Sequence, residues 1–161
     1  MFFYDIPNLL AILILIAASF RMGLIPLWLS FFLGVFALTP FFLNDVLFPA
    51  TYMPDQFAYY DRVHDIRSQG IISGLFNIDS DFNVKMLVSN WLLAIIPLPY
   101  VETIKSLGFF NRLIATALTI WLYSSKNLRG WPLIFVLFYP SFLLYSSLAL
   151  RDTLVLVFMI A

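Results

Sequence analysis

Two stretches without a single charge constrain this chain most. Met22 to Asn44 runs 23 residues with no acidic or basic side chain, and Gly130 to Leu150 runs 21. A helix needs about 20 such residues to cross a hydrocarbon layer about 30 Å thick. In lipid the backbone must satisfy its own hydrogen bonds, which makes such a run a helix. A barrel would show alternating segments of about 10 residues, and the sequence has no such series. Composition points the same way: 62% of residues are hydrophobic and 11% charged, against about half and a quarter in soluble domains. The expectation is an all-α polytopic membrane protein. It would have about five full transmembrane helices, a partial sixth, and an interfacial amphipathic helix in a long loop.

The spans follow from the punctuation. The first is expected over Phe3 to Phe20, ending at Arg21 and Gly23 in a tight hairpin. The second covers Leu24 to Leu43, with Pro26 near its start, where a proline costs little. The third runs from Met86 to Leu98 and stops at Pro97-Leu98-Pro99. The fourth has its core over Asn111 to Ser124, reached through Arg112. The fifth covers Trp131 to Leu150 and is interrupted by Pro140. Beyond Arg151-Asp152, Thr153 to Ala161 is apolar but nine residues long, a rise of about 13 Å. The chain therefore reads as the N-terminal part of a longer protein, with residues 1–161 forming one transmembrane domain. Asp5 stands where a signal peptide would be basic, and no small-residue cleavage site follows, so the N-terminus reads as a retained anchor.

Several function classes fall away. Net charge is zero and no basic patch carries interleaved aromatics, so nucleic acid is not an expected partner. Without cysteine there is no disulfide framework or thiolate site. One histidine cannot build a histidine zinc site. The positive-inside rule does not decide orientation, with four basic residues against five on the two sides of the alternating path.

Residues 44 to 85 hold six of the nine acids, the histidine and three basic residues, and the acidic excess suits an extracytoplasmic loop. Loops this long are usually functional or disordered, and this one is too rich in Phe, Tyr and Ile for disorder. Its middle, Asp55 to Ser68, has helical periodicity. Tyr59, Tyr60, Val63 and Ile66 share one face, and Asp61, Arg62 and Asp65 the other. That pattern suits a helix lying at headgroup depth. Asp55, Tyr59 and Arg62 stand at i, i+4 and i+7 and form one ridge. An acid, a phenol and a guanidinium would then face a lipid-linked substrate together.

Blander readings stand beside these. Asp55 follows Pro54 and could cap a helix. Tyr59 and Tyr60 could be interfacial anchors. Asp45 is either a boundary residue or part of the site. Asp79-Ser80-Asp81 resembles the DxD triplet by which soluble glycosyltransferases hold a metal, but also suits the cap of the third helix. A divalent metal thus stays open as a cofactor, with no metal ligand assigned. His64 reads as a polar-face residue. Arg151 and Asp152 follow a broken, hydroxyl-rich helix (Tyr139-Pro140-Ser141, Tyr145-Ser146-Ser147). They are either a mutually neutralising pair or an anion site whose forked guanidinium suits diphosphate.

The segment Pro54-Asp55-Gln56-Phe57-Ala58-Tyr59-Tyr60, with its D-x3-Y, resembles bacterial polysaccharide polymerases of the Wzy/EpsG type. So does the later YPSFLLYSSLALRD, with its P-x4-S-x4-R-[DE] run. GT-C membrane glycosyltransferases show a related run and a loop acid after their first helix; two helices before the loop favour the Wzy/EpsG type. The resemblance implies a polyprenyl-phosphate- or diphosphate-linked sugar as substrate. It also implies a bacterial cytoplasmic (inner) membrane location crossed several times, and other polysaccharide-assembly proteins as partners beside membrane lipid. In its terms Asp55 is the general base and Tyr59 orients the acceptor. Arg151 or Arg62 stabilises the leaving phosphate, and Tyr60 and Asp45 complete the substrate site. Simple alternation, however, places Arg151 on the side opposite Asp55 unless the Pro140 break alters the path. A lipid-linked oligosaccharide flippase, or another polytopic transporter, is the competing expectation.

Overall fold

The structure, a computed structural model, describes residues 5–44, 46–76 and 84–160. Its helices are α1 Ile6–Arg21, α2 Leu27–Ala37, α3 Thr39–Leu43, α4 Asp55–Gln69, α5 Ile71–Phe76, α6 Val84–Ile95, α7 Ile104–Ser124, α8 Trp131–Phe138, α9 Pro140–Tyr145 and α10 Asp152–Ile160. A single 3-10 turn at Ala50–Tyr52 precedes α4.

The central post is α7, with α1, α2, α3, α4 and α10 packed around it. Its start is specified locally. Thr103 accepts from the Ser106 amide at 3.2 Å and Ser106 Oγ accepts from the Thr103 amide at 3.2 Å, a reciprocal cap. The N-terminus of α1 docks on the same point. The Asp5 carboxylate, buried, accepts from Ser106 Oγ at 2.6 Å and Thr103 Oγ1 at 3.1 Å. Asn8 exchanges two hydrogen bonds with the Tyr100 backbone, at 3.0 and 3.2 Å. Between α1 and α2 the chain reverses at Gly23, whose φ of +71° is open to glycine at little cost. Phe109 and Phe110, fully buried, fill the centre.

The expectation of five full transmembrane helices is overturned. Among the described residues, no helix is long and apolar enough to cross a membrane. The expected second span is cut in two, because α2 ends at Ala37 and Pro40 sits in the first turn of a separate α3. Proline lacks the amide that would bond four residues back and its ring crowds that carbonyl. The fifth is cut at Pro140 into α8 and α9, and residues 146–150 leave helix altogether. The third ends at Ile95, earlier than expected. At 16 residues α1 rises about 24 Å. At 21 residues α7 is longer, but it carries Lys105, Asn111 and Arg112. A charge-free run reports that side chains avoid water. It does not report that they sit on one unbroken helix.

The expected amphipathic helix is also corrected. It forms, as α4, but its apolar face is not laid on a membrane surface. Gln56, Tyr59, Val63 and Ile66 are buried against protein, and α4 packs on α5, α6 and α7.

Candidate functional site

The first turn of α4 and the segment 146–152 come together. Gln56, buried beside Asp55, carries the junction. Its Oε1 accepts from the Ala149 amide at 3.0 Å and from Asn44 Nδ2 at 3.3 Å. Ala149 is two residues from Arg151. The charges of Arg151, Asp55 and Asp152 therefore all act on the Tyr59 phenol. Burial pushes that phenol above its ordinary 10; Arg151 pulls it back, and Asp55 and Asp152 push it further up. Tyr59 is thus held as a neutral hydrogen-bond donor. Arg151 is not separated from Asp55, as simple alternation of spans would require, because the break at Pro140 turns the chain back.

The individual groups differ in exposure. Pro54 occupies the cap position and Asp55 opens the first turn of α4, exposed, where a carboxylate complements the helix dipole. The reading of Asp55 as the cap itself is thereby corrected. Arg151 and Asp152 are exposed, and Asp152 opens α10. Asp152 and Thr153 also edge an apolar cavity of about 450 Å³ between α8, α9 and α10, walled by Phe135, Tyr139, Tyr145 and Leu156. Its size lies within the range of about 300–1,000 Å³ usual for small-molecule pockets. A cluster with an acid, a neutral phenol and a guanidinium can accept a proton, orient a hydroxyl and hold an anion.

Other expected residues fall elsewhere. Tyr60 is half-buried and stacks on His64, ring centroids 5.9 Å apart; burial, Glu102 and Asp61 raise its phenol above the ordinary value. His64 is exposed and its Nδ1 lies 3.2 Å from the Val101 carbonyl oxygen. Arg62 is half-buried, with Nε and one terminal nitrogen shielded from solvent. It is not on a fully exposed polar face as its register suggested. Asp45 and the Asp79-Ser80-Asp81 triplet lie outside the described residues. Among the described residues no group of three or more His, Cys, Asp or Glu could hold a metal ion.

The residues that build the junction were missed by sequence reasoning. Segment 146–150 is buried but not helical, so its backbone needs outside partners. Asn111 Nδ2 donates to the Leu148 and Leu150 carbonyls at 2.5 and 2.6 Å. Arg112, expected at a helix boundary, is buried in mid-helix. It donates to Ser147 Oγ at 2.6 Å, Thr39 Oγ1 at 2.7 Å and the Leu143 carbonyl at 3.0 Å. Burial lowers its guanidinium to about 9, still cationic at neutral pH. Gly108 makes room for the segment: a Cβ there would stand 2.3 Å from the Ser147 carbonyl oxygen. One signal was available, an Asn-Arg pair inside an otherwise apolar helix, and it was read as an edge.

Compared with protein-family models, curated proteins and solved structures, the chain gives no match. The resemblance to polysaccharide polymerases therefore rests on its two motifs alone.

Proposed function

We propose that this chain carries a glycosyl-transfer site for sugar units borne on a polyprenyl phosphate or diphosphate. It would work at a bacterial cytoplasmic membrane during cell-surface polysaccharide assembly. One observation carries the reading. The D-x3-Y of α4 and the Arg-Asp at the start of α10, far apart in sequence, act on one another through Tyr59. Each motif alone has an ordinary structural explanation. Together they supply the three groups that sugar transfer from a phosphate requires.

In that reaction the Asp55 carboxylate takes the proton of an acceptor hydroxyl as its oxygen bonds the anomeric carbon. The bond from that carbon to the phosphate oxygen breaks, and the electron pair leaves with the phosphate. Arg151 neutralises the charge that develops there, with forked donors matched to phosphate oxygens. Tyr59, kept protonated, donates a hydrogen bond to the sugar or the acceptor. The aromatic-walled cavity beside Asp152 suits the isoprenoid chain of such a donor. Large apolar side chains also stand exposed on α2 (Leu27, Phe31), α8 (Phe135) and α10 (Phe158, Met159). Apolar surface of that extent marks contact with lipid or protein, consistent with a substrate drawn from a bilayer.

The test is Asp55→Asn in the full-length protein. Polymer formation should be abolished while expression is unchanged, a loss of at least about 100-fold for removal of a general base. Normal polymer yield and chain length would remove Asp55 from the reaction. A flippase would instead lose lipid-linked units from the outer face while polymerisation chemistry persisted.

A further inference from the structure

We infer that Arg112 is a positioning residue: through Ser147 it holds segment 146–150 in the one register that sets Arg151 beside the first turn of α4. The inference rests on the proposed transfer reaction only for its consequence in catalysis; its geometry stands alone.

Arg112 is buried, and its charge is met by two hydroxyls and a carbonyl. An apolar residue would serve a passive core better, because taking a guanidinium out of water is costly. The charge does give three strong bonds from one terminal nitrogen, converging on both sides of a chain break. Two of the three partners, Leu143 and Ser147, flank the point where α9 ends. Its neighbour Asn111 takes the next carbonyls, of Leu148 and Leu150. The Ala149 amide goes to Gln56 on α4. Side chains from α7 and α4 thus grip four successive residues, and Arg151 is the next residue along. The grip reaches no group that meets a substrate, so Arg112 acts only through where it leaves Arg151.

Arg151 is the neighbour that lowers the Tyr59 phenol, so Tyr59 reports the position of Arg151 without any need for activity. The experiment follows the Tyr59 ring by carbon-13 NMR against pH in the full chain in detergent, with Tyr59→Phe assigning the signal. Ser147→Ala removes the hydroxyl that Arg112 grips and spares the arginine itself. It should move Tyr59 ionisation upward by about half a unit, the same direction as Arg151→Met. Added to Arg151→Met, it should do nothing more, because the two act through one contact. Arg112→Lys, lacking the fork, should behave like Ser147→Ala. An unmoved Tyr59 in Ser147→Ala, or an equal shift with and without Arg151, overturns the inference. A second arm measures transfer from a polyprenyl-diphosphate disaccharide. Ser147→Ala should raise KM for that donor several-fold with kcat little changed, since the donor phosphate is what Arg151 meets. No transfer by the unaltered protein would remove the functional reading, while the titration would still decide the role of Arg112.

Discussion

Two helices break at a proline, at Pro40 and at Pro140, and they break differently. At the first, one residue separates α2 from α3, and Thr39 Oγ1 donates back to the Phe36 carbonyl at 2.7 Å. The break repairs itself and the chain continues as helix. At the second, α9 lasts six residues and the backbone then runs unwound through 146–150. Its carbonyls and amide are taken by side chains of other helices. Both breaks hand a hydroxyl to Arg112, with Thr39 Oγ1 and Ser147 Oγ 2.8 Å apart. A break closed from within only bends a helix. A break closed from outside fixes the direction of everything after it, and only the second leads into a charged pair.

The largest test of this contrast removes the shared residue. Arg112→Leu strips a donor from Thr39, Ser147 and the Leu143 carbonyl at once. It should destabilise the fold by roughly 3 kcal/mol, read from denaturant unfolding in detergent. An unchanged midpoint would show that neither break depends on the arginine. Next comes a pair of glycine substitutions. Gly108→Ala presses on the Ser147 backbone and should cost about 1–3 kcal/mol by overpacking. Gly34→Ala, in α2 ahead of the self-closing break, meets open space and should gain about 0.5–1 kcal/mol from helix propensity. Equal effects at the two glycines would erase the distinction between the breaks.

The smallest effect is in alkaline stability. The Tyr59 and Tyr60 phenols are raised above 10 in the fold, first by burial. Their contribution is fully present below pH 10, where tyrosine in the unfolded chain is also protonated. It is lost as pH climbs through the folded values, because the unfolded chain sheds protons that the fold retains. The unfolding midpoint should therefore fall above pH 10, and Tyr59→Phe should flatten part of that fall. The same slope in both proteins would place Tyr59 in a wetter setting than its burial indicates.

Much of this was legible in advance, though not the way the pieces assemble. Helical periodicity over Asp55 to Ser68 marked α4, and Pro140 marked the second break. Pro40 was passed over because a long apolar run masks a short interruption. Apolar periodicity also cannot say whether a face meets lipid or protein, so the buried face of α4 was turned the wrong way. Arg112 was placed at an edge because a charge between apolar residues is ordinarily a boundary. Its actual partners, Thr39 and Ser147, are 73 and 35 residues away, and no local rule reaches that far. The meeting of Asp55 with Arg151 was hidden for the same reason. It depends on an unwound segment whose partners lie on two other helices.

Arg67 shows how far such non-local control extends. From α4 its guanidinium donates to the carbonyls of Ala94, Ile96 and Leu98 at 3.0, 2.5 and 2.8 Å, and its face covers the Phe110 ring at 4.8 Å. Pro97 and Pro99 would end α6 near that point in any case, yet the orphaned oxygens there are gathered by a residue 27 positions upstream of Ala94. The stop signal of one helix is thus written in another. A lysine at position 67 would bring a single point of charge to three diverging oxygens, and the end of α6 would fray although every residue within it was unchanged.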